Sequence, residues 1–151
     1  MAITVRDAVQ NDINQMLPLL EQLFAIEADF KFDSRVQARG LALMLDGCGK
    51  HRAVKVACSE NGAILGMCTA QTRISTAQGR ISAVVEDLVV DRASRGRGIG
   101  SRLLDEIGNW AGDRGIKTIQ LLADKDNHSG LAFYRAHGWK STALVCLVKP
   151  L

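Results

Sequence analysis

The sequence of 151 residues contains little of what marks disordered, disulfide-rich or membrane-spanning chains. It has two prolines and four cysteines, with no Cys-x-x-Cys pair, so neither a linker nor a disulfide framework is indicated. No apolar run approaches the ~18 residues that a membrane helix needs, and no charged-then-apolar leader precedes Ile3. Nineteen basic against sixteen acidic residues leave a net charge of +3, too small by itself to indicate nucleic-acid binding.

The composition that remains is that of an ordinary globular protein. Hydrophobic residues make up 47% and charged residues 23%, which argues against disorder. A chain of this length buries roughly 68–70% of its unfolded surface, enough for one self-sufficient core. We therefore predict a single domain over residues 1–151, cytoplasmic and without a membrane partner. The cysteines are predicted to be reduced thiols, and the Cys48–His51 spacing matches no structural zinc pattern, so no metal is expected.

Hydrophobic periodicity alternates between strand and helix spacing along the chain. Asn61-Gly62 between two alternating runs predicts a hairpin. Asp12 is predicted to cap the first helix, and Pro18 to bend it. The result is an α+β (mixed α/β) domain with one twisted sheet and helices on its faces. The predicted strands are 3–5, 54–58, 64–72, 81–90, 118–123 and 143–148, and the predicted helices are 13–24, a short one after Asp33-Ser34, 99–115 and 130–137.

The most informative segment runs from Val84 to Ser101 and has the order strand, glycine-rich turn, helix. Glycines allow close approach of a ligand, and the start of a helix presents unpaired N–H groups and partial positive charge. The segment therefore predicts an anion site that suits a pyrophosphate. Neither nucleotide fingerprint is present, because Ser101 replaces the third glycine of a dinucleotide motif and no Gly-Lys-Ser/Thr follows. Four arginines add positive charge here, namely Arg92, Arg95, Arg97 and Arg102.

This segment resembles the coenzyme-A loop of the GCN5-related N-acetyltransferase (GNAT) superfamily. The superfamily pattern Gln/Arg-x-x-Gly-x-Gly/Ala corresponds to Arg95-Gly96-Arg97-Gly98-Ile99-Gly100. A second block follows in the expected order, with Asn127, Phe133-Tyr134 and Gly138-Trp139, where the usual Gly-Phe is replaced by Gly-Trp. The resemblance extends over nearly the whole chain.

The resemblance implies a mainly antiparallel sheet of six to seven strands with about four helices, and acetyl-coenzyme A as cosubstrate. The strand backbone would pair with the pantetheine arm, and the amides of the loop would hold the pyrophosphate. One strand amide would also polarise the acetyl carbonyl. The cofactor-binding residues implied are Leu88, Val89, Val90, Arg95, Gly96, Arg97, Gly98, Ile99, Gly100, Ser101, Asn127 and Tyr134.

Acetyl transfer to an amine requires a neutral nucleophile. A lysine-like amine of pKa ~10.4 is about 99.9% protonated at pH 7, so a group must take its proton, directly or through water. Glu86 is the first candidate by resemblance and Asp87 the second. Strand alternation sends the two to opposite faces, so without a bulge at most one faces the reacting centre. The resemblance also makes Tyr134 the general acid for the departing thiolate.

The sequence leaves the acceptor open among a free amino acid, a polyamine, an amino sugar, an antibiotic and a protein lysine. We expect a small primary amine. Two other functions remain possible: a non-catalytic acyl-coenzyme-A sensor, and a polyanion- or RNA-binding module, which the low charge and the few aromatics disfavour. The resemblance also allows a homodimer. Acidic residues that could border an acceptor pocket are Glu21, Glu27, Asp29 and Asp33.

Overall fold

The computed structural model describes residues 2–27 and 29–151. The chain divides into two compact units, residues 1–121 and 122–151, and each is considered by itself. In the first unit the strands are β1 (Ile3–Asp7), β2 (Arg52–Ser59), β3 (Ile64–Ser75), β4 (Arg80–Val90) and β5 (Ile119–Leu121). Its helices are α1 (Ile13–Ile26), α2 (Ser34–Asp46) and α3 (Ile99–Asp113), with short 3-10 turns at Gln10–Asp12 and Arg92–Ser94. The second unit contains α4 (His128–Ala136).

The five strands form one sheet in the order β1-β2-β3-β4-β5. The first four pair antiparallel in sequence order, and β5 pairs parallel to β4. The predicted hairpin at Asn61-Gly62 is confirmed: it joins β2 to β3, and Gly62 has the positive φ of +84° that favours glycine in such a turn. The predicted mainly antiparallel α+β fold with four helices is therefore correct.

Helices cover both faces of the sheet. On one face α1 and α2 pack against β2, β3 and β4 through a buried apolar cluster that includes Met16, Leu20, Val56 and Met67. On the other face α3 contributes its own buried stripe, with Leu103 and Ile107 fully inaccessible to solvent. This second stripe follows the helical spacing predicted from the sequence.

The part of the chain that the structure describes has five strands, fewer than the six to seven predicted. The missing one is the strand predicted over residues 143–148, which is not assigned as β-structure. The apolar side chains of this segment are largely exposed, with Leu144 and Leu147 at 86% and 89%. Alternating apolar residues favour a strand, but a strand also needs a hydrogen-bonded neighbour. None is present for this segment among the described residues.

Asp12 does not cap α1 with its side chain, contrary to the sequence prediction. It occupies the cap position with helical dihedral angles, and no cap hydrogen bond forms. Its carboxylate instead accepts from Val9 N at 2.8 Å and pairs with both guanidinium nitrogens of Arg6 at 2.7 and 3.0 Å. The bidentate ion pair satisfies the carboxylate more fully than a single backbone N–H would. Helix α1 runs through Pro18.

Candidate active site

Strand β4 has a free edge along its second half. Its pairing with β5 covers Ala83, Val84 and Val85, and among the described residues no strand pairs with 86–90 on that side. Backbone N–H and C=O groups on this edge can therefore accept an extended ligand that adds to the sheet like a further strand. Leu88, Val89 and Val90, the residues that the resemblance assigns to the pantetheine arm, lie on this stretch.

A β-bulge interrupts the pairing of β3 with β4. Thr69 lies opposite Glu86, and Met67 lies opposite Val89, so β4 carries one more residue than β3 over this stretch. Asp87, inside the bulge, has a φ of +54°. Residues other than glycine rarely adopt this left-handed conformation, which costs roughly 1–2 kcal/mol. The strand is thus deformed at the position where the sequence places the proton acceptor.

The bulge brings both candidate carboxylates to one face of the sheet. Thr69 and Glu86 are register partners, so their side chains share a face. The Thr69 hydroxyl lies 3.2 Å from Asp87 Oδ2, which places the Asp87 side chain on that face as well. Regular alternation would have separated the two carboxylates. Met67 lies two residues before Thr69 on β3, so its side chain is on the same face. Met67 belongs to the core cluster of α1 and α2, so these helices cover the shared face.

The two carboxylates have different surroundings. Glu86 is exposed, whereas Asp87 is partly buried. Burial and, to a smaller extent, the negative charge of Glu86 raise the pKa of Asp87, and the hydrogen bond from Thr69 lowers it, so that the pKa is about 6. Burial also raises the pKa of the neighbouring Cys68 thiol, so this thiol stays protonated. A carboxyl group that titrates near neutral pH is suited to proton transfer.

The glycine-rich loop that follows β4 has the geometry of an anion cradle. Gly96 and Gly98 have φ angles of +78° and +75°, and open space lies where a Cβ would project from either. Gly98 is the cap residue of α3, a helix of 15 residues, so its unpaired N–H groups and dipole face this loop. Arg95 donates from Nε to the carbonyl oxygen of Val90 at 3.0 Å, which ties the loop to the end of β4.

A side chain from α1 holds the start of this loop. Gln22 donates from Nε2 to Asp91 Oδ1 at 2.8 Å and accepts from the backbone N–H of Arg92 at 2.9 Å. The other carboxylate oxygen of Asp91 accepts from Ala93 N at 3.2 Å. No sequence pattern singles out Gln22, because a glutamine on an amphipathic helix looks like any solvated polar residue.

Helix α3 packs closely on β3 at Gly66. A Cβ at this position would meet Leu103 Cδ1 at 3.1 Å, Ile99 Cγ2 at 3.2 Å and the carbonyl oxygen of Val89 at 3.2 Å. The missing side chain therefore sets the distance between the sheet and the first turn of α3, where the loop ends. Neither Gly66 nor Thr69 was singled out from the sequence, although a threonine within an apolar strand is a usable signal.

The second unit carries the other two predicted site residues. The Asn127 side chain accepts from Gly130 N at 3.1 Å and so caps α4. The ring centroids of Tyr134 and Trp139 lie 5.9 Å apart in an edge-to-face arrangement. The two aromatic parts of the second sequence block are therefore in contact. Asn127 thus has a structural role at the start of the helix that bears Tyr134.

Two further findings concern the described residues only. No group of three or more His, Cys, Asp or Glu side chains could hold a metal ion. No helix is long and apolar enough to cross a membrane. The four cysteines, Cys48, Cys58, Cys68 and Cys146, are free thiols in the structure.

Comparison with known proteins identifies the family. The profile of the acetyltransferase (GNAT) family matches residues 20–139. The chain is 28% identical over 145 residues to a thialysine N-epsilon-acetyltransferase of Bos taurus, which covers 90% of this chain and 83% of that protein.

Solved structures show the same fold. A transcriptional regulator from Bacillus halodurans C-125 is 28% identical, with a TM-score of 0.83 over 98% of this chain and 99% of that one. A predicted acetyltransferase from Clostridium acetobutylicum, solved with acetyl-CoA, is 20% identical, with a TM-score of 0.80 over 98% and 96%. The chain belongs to the GNAT family of acetyltransferases and is an acyltransferase.

Proposed function

We propose that this enzyme transfers the acetyl group of acetyl-coenzyme A to a primary amine of a small molecule, and that the whole chain acts as one N-acetyltransferase domain. The observation that carries the proposal is the continuity of β4: its free edge leads directly into a glycine loop at the start of α3. An extended arm and an anionic group joined to it fit these two features in that order.

The residues present fit this cosubstrate. The backbone of Leu88, Val89 and Val90 would hold the pantetheine arm, and the amides of 96–101 would hold the pyrophosphate. Side chains at Gly96 and Gly98 would occupy the space next to these amides and would strain the backbone. The cosubstrate supplies an acetyl group activated as a thioester. Arg95 and Arg97 add positive charge, and Asn127 positions the helix that bears Tyr134.

The amine must lose a proton before it attacks, and Glu86 takes it, directly or through water. Glu86 is exposed on the face of the bulge and can exchange the proton with solvent. Asp87 is the alternative acceptor, because the bulge places its carboxyl on the same face and its pKa lies near 6. Tyr134 would protonate the departing thiolate.

The name of one relative supports this substrate class. The bovine relative is named for the ε-amine of thialysine, and the acidic residues that the resemblance would place beside an acceptor pocket, Glu21, Glu27, Asp29 and Asp33, would suit a cationic amine. Titration calorimetry with coenzyme A, followed by a thiol-release screen over amine classes, tests the proposal. We expect binding of coenzyme A and turnover with at least one small amine. A folded protein that binds neither coenzyme A nor its acetyl form would contradict it.

Variants assign the residues. Gly98→Ala should weaken coenzyme A binding, whereas Gly79→Ala, which also has a positive φ and open space, should leave binding unchanged. Glu86→Gln should lower turnover and move the pH profile upward. Tyr134→Phe should keep the affinity for acetyl-coenzyme A but lower the rate, and an intact rate would remove Tyr134 from the chemistry.

A second candidate function is a non-catalytic acyl-coenzyme-A sensor. One specific observation favours it: a relative with 28% identity is named a transcriptional regulator. Acetyl-coenzyme A at 100 times its Kd should stabilise the protein by about 2.7 kcal/mol in either case. Thiol release with an amine panel separates the two, since a sensor releases none. A salt-sensitive response to heparin or RNA in place of coenzyme A would instead indicate a polyanion-binding module.

A further inference from the structure

A cavity of about 200 Å³ lies beside the hairpin that joins β3 to β4, with the apolar side chains of Ala83 and Ile119 as well as polar ones in its wall. It is lined from β3 by Arg73 and Ser75, from β4 by Ser82, and from the segment around β5 by Thr118 and Gln120. The turn of the hairpin closes one side, since the Thr118 hydroxyl donates to Gln78 Oε1 at 2.6 Å. A volume below the roughly 300 Å³ of common ligand pockets suits one end of a small molecule.

The cavity contains a buried hydroxyl group that needs a partner. Ser82 is 6% exposed, and its Oγ forms no hydrogen bond with any described residue. Leaving such a group unpaired costs roughly 1–3 kcal/mol. The unpaired hydroxyl leaves a donor in the cavity wall for which a bound molecule can supply the acceptor.

The chemistry of the lining favours an anion. Arg73 supplies a guanidinium group, Ser82 a free hydroxyl, and Gln78 an amide nitrogen whose oxygen is already occupied by Thr118. No aspartate or glutamate is among the described residues that line the cavity. Arginine together with neutral donors is the usual composition of a carboxylate or phosphate site.

The cavity lies on the same face of the sheet as the proposed proton acceptor. Arg73 pairs with Ser82 and Thr69 with Glu86 in one continuous register, so all four side chains project to one side. Ser82 precedes Glu86 by four residues of β4, a separation of about 13 Å at 3.3 Å per residue. One small molecule can therefore reach both positions.

We propose that this cavity binds an anionic end of the acceptor, a carboxylate or a phosphate, while the amine at its other end reacts beside Glu86. This inference rests on the proposed function and narrows its substrate class to amines that carry an anionic group roughly 10–13 Å away. Arg73 and Ser82 act as specificity-determining residues.

The test compares acceptors that differ only at one end. Three series of increasing length are assayed: ω-amino carboxylates, ω-aminoalkyl phosphates and plain alkylamines. We expect one anionic series to exceed the alkylamine of equal length by about tenfold or more in kcat/KM, in keeping with one charge-assisted hydrogen bond. The anionic series with the higher kcat/KM shows whether the cavity binds a carboxylate or a phosphate. Equal rates for all three series would overturn the inference while leaving the acetyltransferase activity established.

Variants locate the effect. Arg73→Gln should raise KM for the anionic acceptor about tenfold and leave the affinity for coenzyme A unchanged. Arg80→Gln is the matched control, because Arg80 lies exposed on the same hairpin but does not line the cavity. Ser82→Ala should also raise that KM without lowering Tm, since its hydroxyl has no described partner to lose. An equal effect of Arg80→Gln, or an unchanged KM in both cavity variants, would contradict the inference.

Discussion

The hydroxyl group of Thr69 lies 3.2 Å from Asp87 Oδ2 and equally 3.2 Å from the carbonyl oxygen of Glu86. A hydroxyl has one proton to donate, so it can donate to only one of these acceptors at a time. When Asp87 is ionised, the carboxylate is the stronger acceptor. When Asp87 is protonated, the hydroxyl is free to donate to the backbone of the bulge. The protonation state of Asp87 and the hydrogen bonding of the bulge are thereby linked.

Thr69→Val should raise the pKa of Asp87 above about 6, because the hydrogen bond that stabilises its carboxylate is lost. Thr69→Ser keeps the hydroxyl and should restore the pKa. Carbon-13 NMR titration of the aspartate carboxyl groups measures it directly, and the acid limb of the kcat/KM profile should move upward in parallel if Asp87 contributes to proton transfer. An unmoved pKa in the valine variant would show that the hydroxyl donates to the Glu86 carbonyl instead.

Asp87 should also reduce stability as pH rises. Its pKa is raised above the unfolded value of 3.8 to about 6, so between these values the folded state binds more protons than the unfolded state. Linkage then predicts that the free energy of unfolding falls with rising pH across this window. Asp87→Asn removes this contribution and should be more stable than the parent at pH 7, by on the order of 2 kcal/mol. Urea unfolding at pH 4 and pH 7 tests the difference.

The contact between α1 and the glycine loop can be tested by exchanging its polarity. Gln22→Glu keeps the acceptor for Arg92 N but places a second carboxylate beside Asp91, so we expect weaker coenzyme A binding and lower stability. Adding Asp91→Asn restores a donor to the pair while its oxygen can still accept from Ala93 N. The double variant should be more stable, by about 1–3 kcal/mol, than the sum of the two single effects predicts. Calorimetry and urea unfolding measure the cycle, and additive effects would show that the contact does not position the loop.

The close packing of α3 on the sheet predicts a sharp effect of one methyl group. Gly66→Ala should destabilise the protein by roughly 1–3 kcal/mol, because the added Cβ meets backbone and core atoms. Gly108→Ala is the matched control on α3, where nothing lies within 4 Å of the added Cβ, and it should stabilise by roughly 0.5–1 kcal/mol. Thermal unfolding distinguishes them. Similar Tm values for the two variants would show that α3 can shift away from β3 at little cost.

The Arg6–Asp12 ion pair should govern part of the acid stability. The bond to Arg6 holds the pKa of Asp12 below its ordinary value, so this stabilisation is present above the unfolded pKa and is lost as pH falls through the folded one. Asp12→Asn should therefore destabilise at pH 7, and by less at pH 3, which lies below the unfolded pKa of 3.8. Asp7→Asn breaks the more exposed pair with Lys55 and should cost less, in line with surface pairs generally. Urea titrations at both pH values compare them.

Local signals account for the parts of the fold that the sequence predicted. The hairpin at Asn61-Gly62, the stripe of α3 and the loop of Gly96 and Gly98 each depend on residues close together in the chain. Their conformations follow from backbone freedom and helical period. The element order and the family resemblance follow from the same local blocks.

Features that depend on pairing between distant segments were not predictable in this way. The bulge at Asp87 arises from the register between β3 and β4, and no residue pattern within β4 predicts it. The bonds of Gln22 to Asp91 and Arg92 join positions about seventy residues apart. The prediction of a strand over 143–148 was wrong because alternation of apolar residues shows which faces a strand would have but does not provide a neighbouring strand to pair with.

Strand β4 extends from Arg80 to Val90, with the cavity near its beginning, the bulge and the two carboxylates beyond its middle and the glycine loop at its end. Eleven residues at about 3.3 Å each give the strand a length of roughly 36 Å. Lengthening or shortening the hairpin between β3 and β4 would alter the cavity at the start of β4 and leave the glycine loop at its end unchanged. A new hairpin grafted onto this strand should therefore change the proposed acceptor cavity and leave the proposed pyrophosphate loop as it is.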